Sequence, residues 1–173
     1  MLLAEAAAYA KSRATTLFDM LDKIYLKIGY YATANKPMPR VGSFKGAEGL
    51  TKKMNLLKQA QKWMAQTNAK ANTANPFILG GMPVIGSMEF ATGKYDAQHY
   101  EGFPDEGVRF FFSDSSLKKV EPFYNSKNYI TIRPSGTSQT IRFYSQLFTR
   151  VNEQNIGALK YQTSRRSEAL SLQ

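Results

Sequence analysis

Over its first thirty residues the chain spaces its apolar positions as amphipathic helices do. Residues 2–12 are rich in alanine, the residue with the highest helix propensity. A second apolar stripe, at every third or fourth position, begins directly after Thr16. Thr16 is a favourable N-cap, and Asp19 stands where a capping box has its acid. We predict two short helices here, followed by a linker that contains Pro37 and marks a domain boundary near residues 32–38.

The central part of the chain has the pattern of an amphipathic helix with a basic outer side. Its predicted buried stripe consists of Leu50, Met54, Leu57, Gln61 and Met64. Four lysines fall mostly outside that stripe, namely Lys52, Lys53, Lys58 and Lys62. We predict a short strand before this helix, at residues 40–44, and a loop after it, at residues 66–76.

The second half of the chain alternates apolar and polar residues with a period of two, which is typical of half-buried strands. The pattern predicts strands at 82–90, 108–112, 129–133 and 140–148, a long loop at 91–107 and a closing helix within 151–172. Strands that are grouped together, rather than alternating with helices, favour an α+β fold with a mainly antiparallel sheet. The predicted order after the first two helices is strand–helix–four strands–helix.

Composition excludes several kinds of chemistry. The 173 residues include no cysteine, so disulfides, iron–sulfur clusters and cysteine nucleophiles are ruled out. The single histidine, His99, rules out a metal site made of several histidines. No run approaches the roughly 20 apolar residues of a membrane span, and no basic secretory signal opens the chain. We therefore expect a cytoplasmic protein with no membrane partner.

The charge of the chain is unevenly distributed. The formal net charge is +10, and residues 36–75 carry eight basic side chains against one acidic side chain. Such an excess is typical of a solvated lysine face, of a docking surface or of a surface that attracts anionic ligands.

The segment Arg-Pro-Ser-Gly-Thr, between the last two predicted strands, suits a phosphate group. The guanidinium of Arg133 offers a planar fork of donors, and Ser135 and Thr137 add hydroxyls. Gly136 permits backbone angles that let successive N–H groups converge on an anion. Strand alternation places Arg133 and Arg142 on the faces away from the core. A plain hairpin turn would also use Pro and Gly, so the residues alone leave both interpretations open.

This segment, with its flanks, resembles a known family. Residues 132–137, followed by Ile-Arg-Phe-Tyr at 141–144, resemble the phosphate-binding loop of the α-D-phosphohexomutases, which include phosphoglucomutase and phosphomannomutase. Patches within residues 2–31 resemble the end of the third domain of these enzymes. The resemblance implies that residues 1–35 are the C-terminal helices of a preceding α/β domain. It implies that residues 36–173 form the phosphate-binding C-terminal domain, with a fold like that of the TATA-binding protein.

The resemblance also implies a function. Enzymes of this family interconvert hexose 1-phosphate and hexose 6-phosphate through a bisphosphorylated sugar, and the C-terminal domain holds the phosphate that is not being transferred. The implied phosphate- and substrate-binding residues are Arg133, Ser135, Gly136, Thr137 and Arg142. The family's serine motif, aspartate-rich magnesium loop and sugar-binding loop are not found in the sequence, so we predict neither catalytic nor metal-binding residues.

We therefore expect the chain to be inactive alone and to work with a phosphosugar substrate and with missing N-terminal domains of the same protein. For the full-length enzyme the resemblance implies Mg²⁺ and a hexose bisphosphate activator. Ser138, Gln139 and Thr140 stand where the family often has Glu-Pro-Lys, so the loop lacks a lysine. Two alternatives stay open at this point. A basic nucleic-acid-binding module is favoured by an isoelectric point near 9.7, although we expect no nucleic acid partner. The other alternative is a non-catalytic docking domain.

Overall fold

The protein is described by a computed structural model, in which residues 2–38, 44–70, 75–89, 107–114, 121–135 and 139–171 are placed. Its helices are α1 (Leu2–Ser12), α2 (Leu17–Ile28), α3 (Gly46–Lys70) and α4 (Ile156–Leu170), with a 3₁₀ turn at Phe123–Asn125. Its strands are β1 (Tyr30–Met38), β2 (Ile78–Leu79), β3 (Met82–Glu89), β4 (Val108–Phe112), β5 (Asn128–Pro134) and β6 (Ile141–Thr149). The strands form one sheet in the order β1-β6-β5-β4-β3-β2. Every neighbouring pair is antiparallel.

Helices α3 and α4 cover one face of this sheet. The strands point alternate side chains at the helices, and the buried core comprises Met82, Val84, Val108, Phe110, Phe112, Ile130, Ile132, Ile141 and Leu147 with Ala60 and Leu170 of the helices. The face of β4, β5 and β6 that points away from the helices is called the open face. It carries Arg109, Phe111, Tyr129, Thr131, Arg133, Arg142, Tyr144, Gln146 and Phe148. This architecture confirms the predicted α+β class and is consistent with a domain like the TATA-binding protein.

Two buried serines connect α4 to the sheet by hydrogen bonds. The hydroxyl of Ser145 donates to the carbonyl of Ser167 at 2.8 Å, and the hydroxyl of Ser167 donates to the carbonyl of Ala32 at 3.2 Å. Both side chains are almost fully buried, so these bonds replace the water that each hydroxyl loses on folding. They fix α4 against β6 and β1.

The capping box predicted for α2 is confirmed. The backbone N–H of Asp19 donates to the Thr16 hydroxyl at 3.1 Å, and the backbone N–H of Thr16 donates to the Asp19 carboxylate at 2.8 Å. The bonds from the side chain and backbone of Thr16 hold the pKa of the Asp19 carboxyl below its usual value. The N-terminus of α2 is therefore set by the residues that the sequence indicates.

The linker predicted after the second helix is wrong. Tyr30–Met38 is the strand β1, which pairs with β6 along all nine of its residues. This segment has little apolar alternation, and Pro37 is tolerated because β1 is an edge strand. The predicted division between residues 1–35 and 36–173 stays a prediction, and β1 runs across it.

Two further differences concern α3 and the sheet. The loop predicted at residues 66–76 is wrong for residues 66–70, because α3 continues to Lys70. In this last part of the helix the buried Thr67 hydroxyl donates to the Trp63 carbonyl at 2.9 Å. The short strand β2 was not predicted, so the observed order is strand–helix–five strands–helix.

The predicted strand at 40–44 lies almost wholly outside the described residues. The loop at 91–107, which includes His99, does so too, with only residue 107 described.

A glycine permits the first turns of α3 to pack against the segment before the helix. Gly49 is buried, and a Cβ built on it would lie 2.7 Å from the Cα of Phe44, with other backbone atoms of Phe44 also too close. In contrast, a Cβ on Gly157 in α4 would meet nothing within 4 Å.

We expect Gly49→Ala to lower the free energy of unfolding by about 1–3 kcal/mol, because backbone atoms must move to accept the methyl group. Gly157→Ala is the matched control, since it adds the same methyl group to a helix without a clash. We expect it to raise the free energy of unfolding by up to about 1 kcal/mol. Urea unfolding of both variants measures the difference, and equal effects would contradict the packing described here.

Candidate functional site

The turn between β5 and β6 is closed at its base and held by α3. The backbone N–H of Ser135 donates to the carbonyl of Thr140 at 2.9 Å. The N–H of Phe44, two residues before α3, donates to the carbonyl of Gln139 at 2.8 Å. On the other side of the turn, Lys53 Nζ donates to the carbonyl of Ser135 at 3.1 Å. Both described ends of the turn are therefore tied to the beginning of α3.

Two arginines stand side by side at this end of the sheet. Arg133 of β5 and Arg142 of β6 are direct partners in the antiparallel register, so their side chains leave the open face as a cross-strand pair. Directly opposite residues have Cβ atoms about 4.5–5.5 Å apart. Both side chains are half-buried. The register therefore concentrates two positive charges beside the turn.

A pair of like charges in this position favours a bound anion. Like charges directly opposite one another destabilise a sheet, on the scale of about 0.2–1 kcal/mol for cross-strand pairs. A phosphate group would turn this repulsion into attraction, because its oxygens accept hydrogen bonds from two guanidinium groups at once. The buried Ser135 lies one residue beyond the end of β5, on the same turn.

The structure brings together three of the five predicted site residues. Arg133, Ser135 and Arg142 meet at the β5–β6 turn, whereas Gly136 and Thr137 lie outside the described residues. The phosphate-binding role of all five stays a prediction.

Lys53 was not predicted as a site residue. Its lysine neighbours Lys52, Lys58 and Lys62 are exposed, whereas Lys53 is half-buried against the turn. The predicted buried stripe of this helix was partly wrong, since Leu50 is 57% exposed. The observed buried side of α3 contains Gly49, Leu57, Ala60 and Thr67. Lys53 lies four residues after Gly49 and four residues before Leu57, so it falls on the buried side of the helix. This spacing is the sequence signal that could have identified Lys53 as a site residue.

Arg109, also on the open face, is engaged in aromatic packing. Its Nε donates to the Thr131 hydroxyl at 2.8 Å, and its guanidinium carbon lies 4.1 Å from the centre of the Tyr129 ring. Phe111 and Phe148 on the same face are buried. The guanidinium of Arg109 is thus directed to the aromatic part of the open face and not to the β5–β6 turn.

The residues that the structure describes contain no group of three or more His, Cys, Asp or Glu side chains that could hold a metal ion. None of the helices found there has the length and apolar character needed to cross a membrane.

The sequence of the chain is similar to part of a curated protein. No protein-family model matches the chain. The chain is 24% identical over 146 residues to a protein named phosphoglucomutase from Staphylococcus haemolyticus (strain JCSC1435). The matched region covers 84% of this chain but 23% of that protein, so the chain spans less than a quarter of the relative's length. The chain, an α+β domain with two arginines beside its β5–β6 turn, is therefore similar to part of a protein named phosphoglucomutase. The similarity fits a fragment of a phosphohexomutase.

We expect inorganic phosphate to stabilise this chain by binding beside Arg133 and Arg142. A ligand at ten times its dissociation constant adds about 1.4 kcal/mol to the free energy of unfolding. In Arg142→Gln this gain should be lost. Without phosphate, Arg142→Gln should be no less stable than the parent, because one of two positive charges at directly opposite positions has been removed.

Thermal unfolding with and without phosphate measures both effects. Arg165→Gln is the matched control, because it removes the same charge from an exposed position on α4. If it lost the phosphate-induced gain as fully as Arg142→Gln, the binding would be non-specific.

Proposed function

We propose that this chain is the substrate-phosphate-binding domain of a phosphohexomutase, an enzyme that interconverts hexose 1-phosphate and hexose 6-phosphate. The observation that carries the proposal is the cross-strand pair of Arg133 and Arg142 beside the closed β5–β6 turn. Support comes from the similarity to part of a protein named phosphoglucomutase. The fold alone would not support this function, because proteins with the same fold can have many different functions.

In this proposal Arg133 and Arg142 grip the phosphate group that stays on the sugar. A phosphate monoester at neutral pH is close to doubly negative, and two guanidinium groups neutralise that charge and fix its orientation. Ser135 adds a hydroxyl from the turn. Phosphoryl transfer depends largely on positioning and charge stabilisation, so a firmly held phosphate at one end of the sugar sets the distance of the other end from the reacting groups.

The transfer itself belongs to other parts of the full-length enzyme. The described residues hold no cluster fit for Mg²⁺, so we assign the magnesium ion, the phosphorylated serine and the use of a hexose bisphosphate to the domains that the proposal places outside this chain. We propose that the chain has no isomerase activity by itself.

The test is the affinity of the 173-residue chain for glucose 1-phosphate, followed by amide NMR titration with glucose as the ligand control. We expect saturable shifts at Arg133, Ser135 and Arg142 with the phosphosugar and none with glucose. Arg133→Lys keeps the charge but loses the planar fork. Losing a charge-assisted hydrogen bond costs about 1.5–3 kcal/mol, so the dissociation constant should rise roughly 10- to 150-fold.

Arg165→Lys serves as the matched variant and should bind as the parent does. Equal responses to glucose and glucose 1-phosphate, or an unchanged affinity in Arg133→Lys, would overturn the proposed role of this turn.

The two alternatives stay hypotheses. A nucleic-acid-binding surface generally offers exposed aromatic rings or a basic groove. On the open face Phe111 and Phe148 are buried and Arg109 lies over Tyr129, so these rings are covered. A docking domain that has lost its ligand predicts no saturable binding of glucose 1-phosphate, and the titration above therefore separates it from the phosphosugar proposal.

A further inference from the structure

The β5–β6 turn contains no lysine or arginine of its own between Ser135 and Thr140. The one cationic group that a described contact brings onto it is Lys53, from the second turn of α3. The lysine side chain is half-buried, and its ammonium group lies 3.1 Å from the carbonyl oxygen of Ser135. A separate element of the fold thus delivers a positive charge to the turn.

The surroundings of Lys53 differ from those of the adjacent lysine. Lys52 forms an ion pair with Glu48 at 2.6 Å, on the exposed side of α3. Among the described residues no carboxylate lies within ion-pair distance of Lys53, whose partner is the neutral carbonyl of Ser135. An ammonium group has three donors, and one carbonyl uses a single one. Two donors and a whole positive charge are therefore left for an anion at the turn.

The contact also has a geometric effect. The N–H of Ser135 is bonded to the carbonyl of Thr140, and the carbonyl of Ser135 accepts a hydrogen bond from Lys53. Both backbone polar groups of Ser135 are therefore held at the point where β5 ends. Gly49, one helical turn before Lys53, leaves room for the backbone of Phe44, whose N–H bonds to the other end of the turn at Gln139.

We propose that Lys53 is a positioning and charge-supplying residue of the phosphate site, acting from the helix side of the sheet while Arg133 and Arg142 act from the open face. This inference rests on the proposed function and deepens it, because it identifies a third cation for the same ligand. The ligand class is a phosphate monoester or inorganic phosphate, since phosphate oxygens accept charge-assisted hydrogen bonds from several cations at once.

The experiment measures dissociation constants for inorganic phosphate and for glucose 1-phosphate in three variants at position 53. We expect Lys53→Met to raise both constants about tenfold and Lys53→Arg to stay within about threefold of the parent. Lys53→Gln keeps a donor but loses the charge, so it should be weakened and should also show a smaller dependence of affinity on salt concentration. A purely structural lysine would leave this salt dependence unchanged.

Lys52→Gln is the matched control, because it removes the same charge from the neighbouring position of the same helix, and it should bind within about twofold of the parent. Should Lys53→Met fail to fold, the pair Lys53→Gln and Lys53→Arg carries the test. Unchanged affinity in Lys53→Gln, or equal losses in Lys52→Gln and Lys53→Gln, would overturn the role of Lys53.

The outcomes for the two proposals are distinct. If the parent binds phosphate and Arg133→Lys does not, while Lys53→Gln binds normally, the proposed function stands and the inference about Lys53 is wrong. If the parent shows no saturable binding of either ligand, both are wrong.

Discussion

The register of the antiparallel pair β5–β6 is the constraint on which the candidate site depends. Side chains alternate along a strand with a period of two, so the same register that buries Ile130, Ile132 and Ile141 also sends Arg133 and Arg142 to the open face. A slip of one residue would expose the isoleucines and bury the arginines. The hydrophobic free energy of the core therefore holds two like charges together, at a position that electrostatics alone would disfavour.

Helix α3 is the second determinant, because it serves the core and the turn at once. Ala60 packs in the core, while Lys53, about two turns nearer the N-terminus, bonds to one end of the β5–β6 turn. Phe44, just before the helix, bonds to the other end at Gln139. Packing α3 on the sheet thus also places Lys53 at the carbonyl of Ser135. A change that displaces the helix would loosen the turn without touching any residue on the open face.

This arrangement is consistent with the proposed function, in which the domain binds and orients a ligand while the reaction takes place elsewhere. The cations of the candidate site come from β5, β6 and α3, and all three elements share one rigid core. Rigid support would matter for the proposed binding of phosphate, because a charged hydrogen bond contributes most when its donors are already oriented. The closed base of the turn and its two ties to the region of α3 provide that support within the described residues.

The sequence by itself determined the local features: the helices α2 and α3 from their periodicity, the Thr16 capping box, the strands β3 to β6 and the turn that joins the last two. The resemblance singled out Arg133, Ser135 and Arg142, and strand alternation put both arginines on one face. Tertiary structure decided what depends on distant partners. Residues 30–38 form a strand because they pair with β6, and Lys53 contacts the β5–β6 turn because α3 packs with that side towards it. Contacts between residues more than eighty positions apart leave no local pattern, so periodicity could not reveal them.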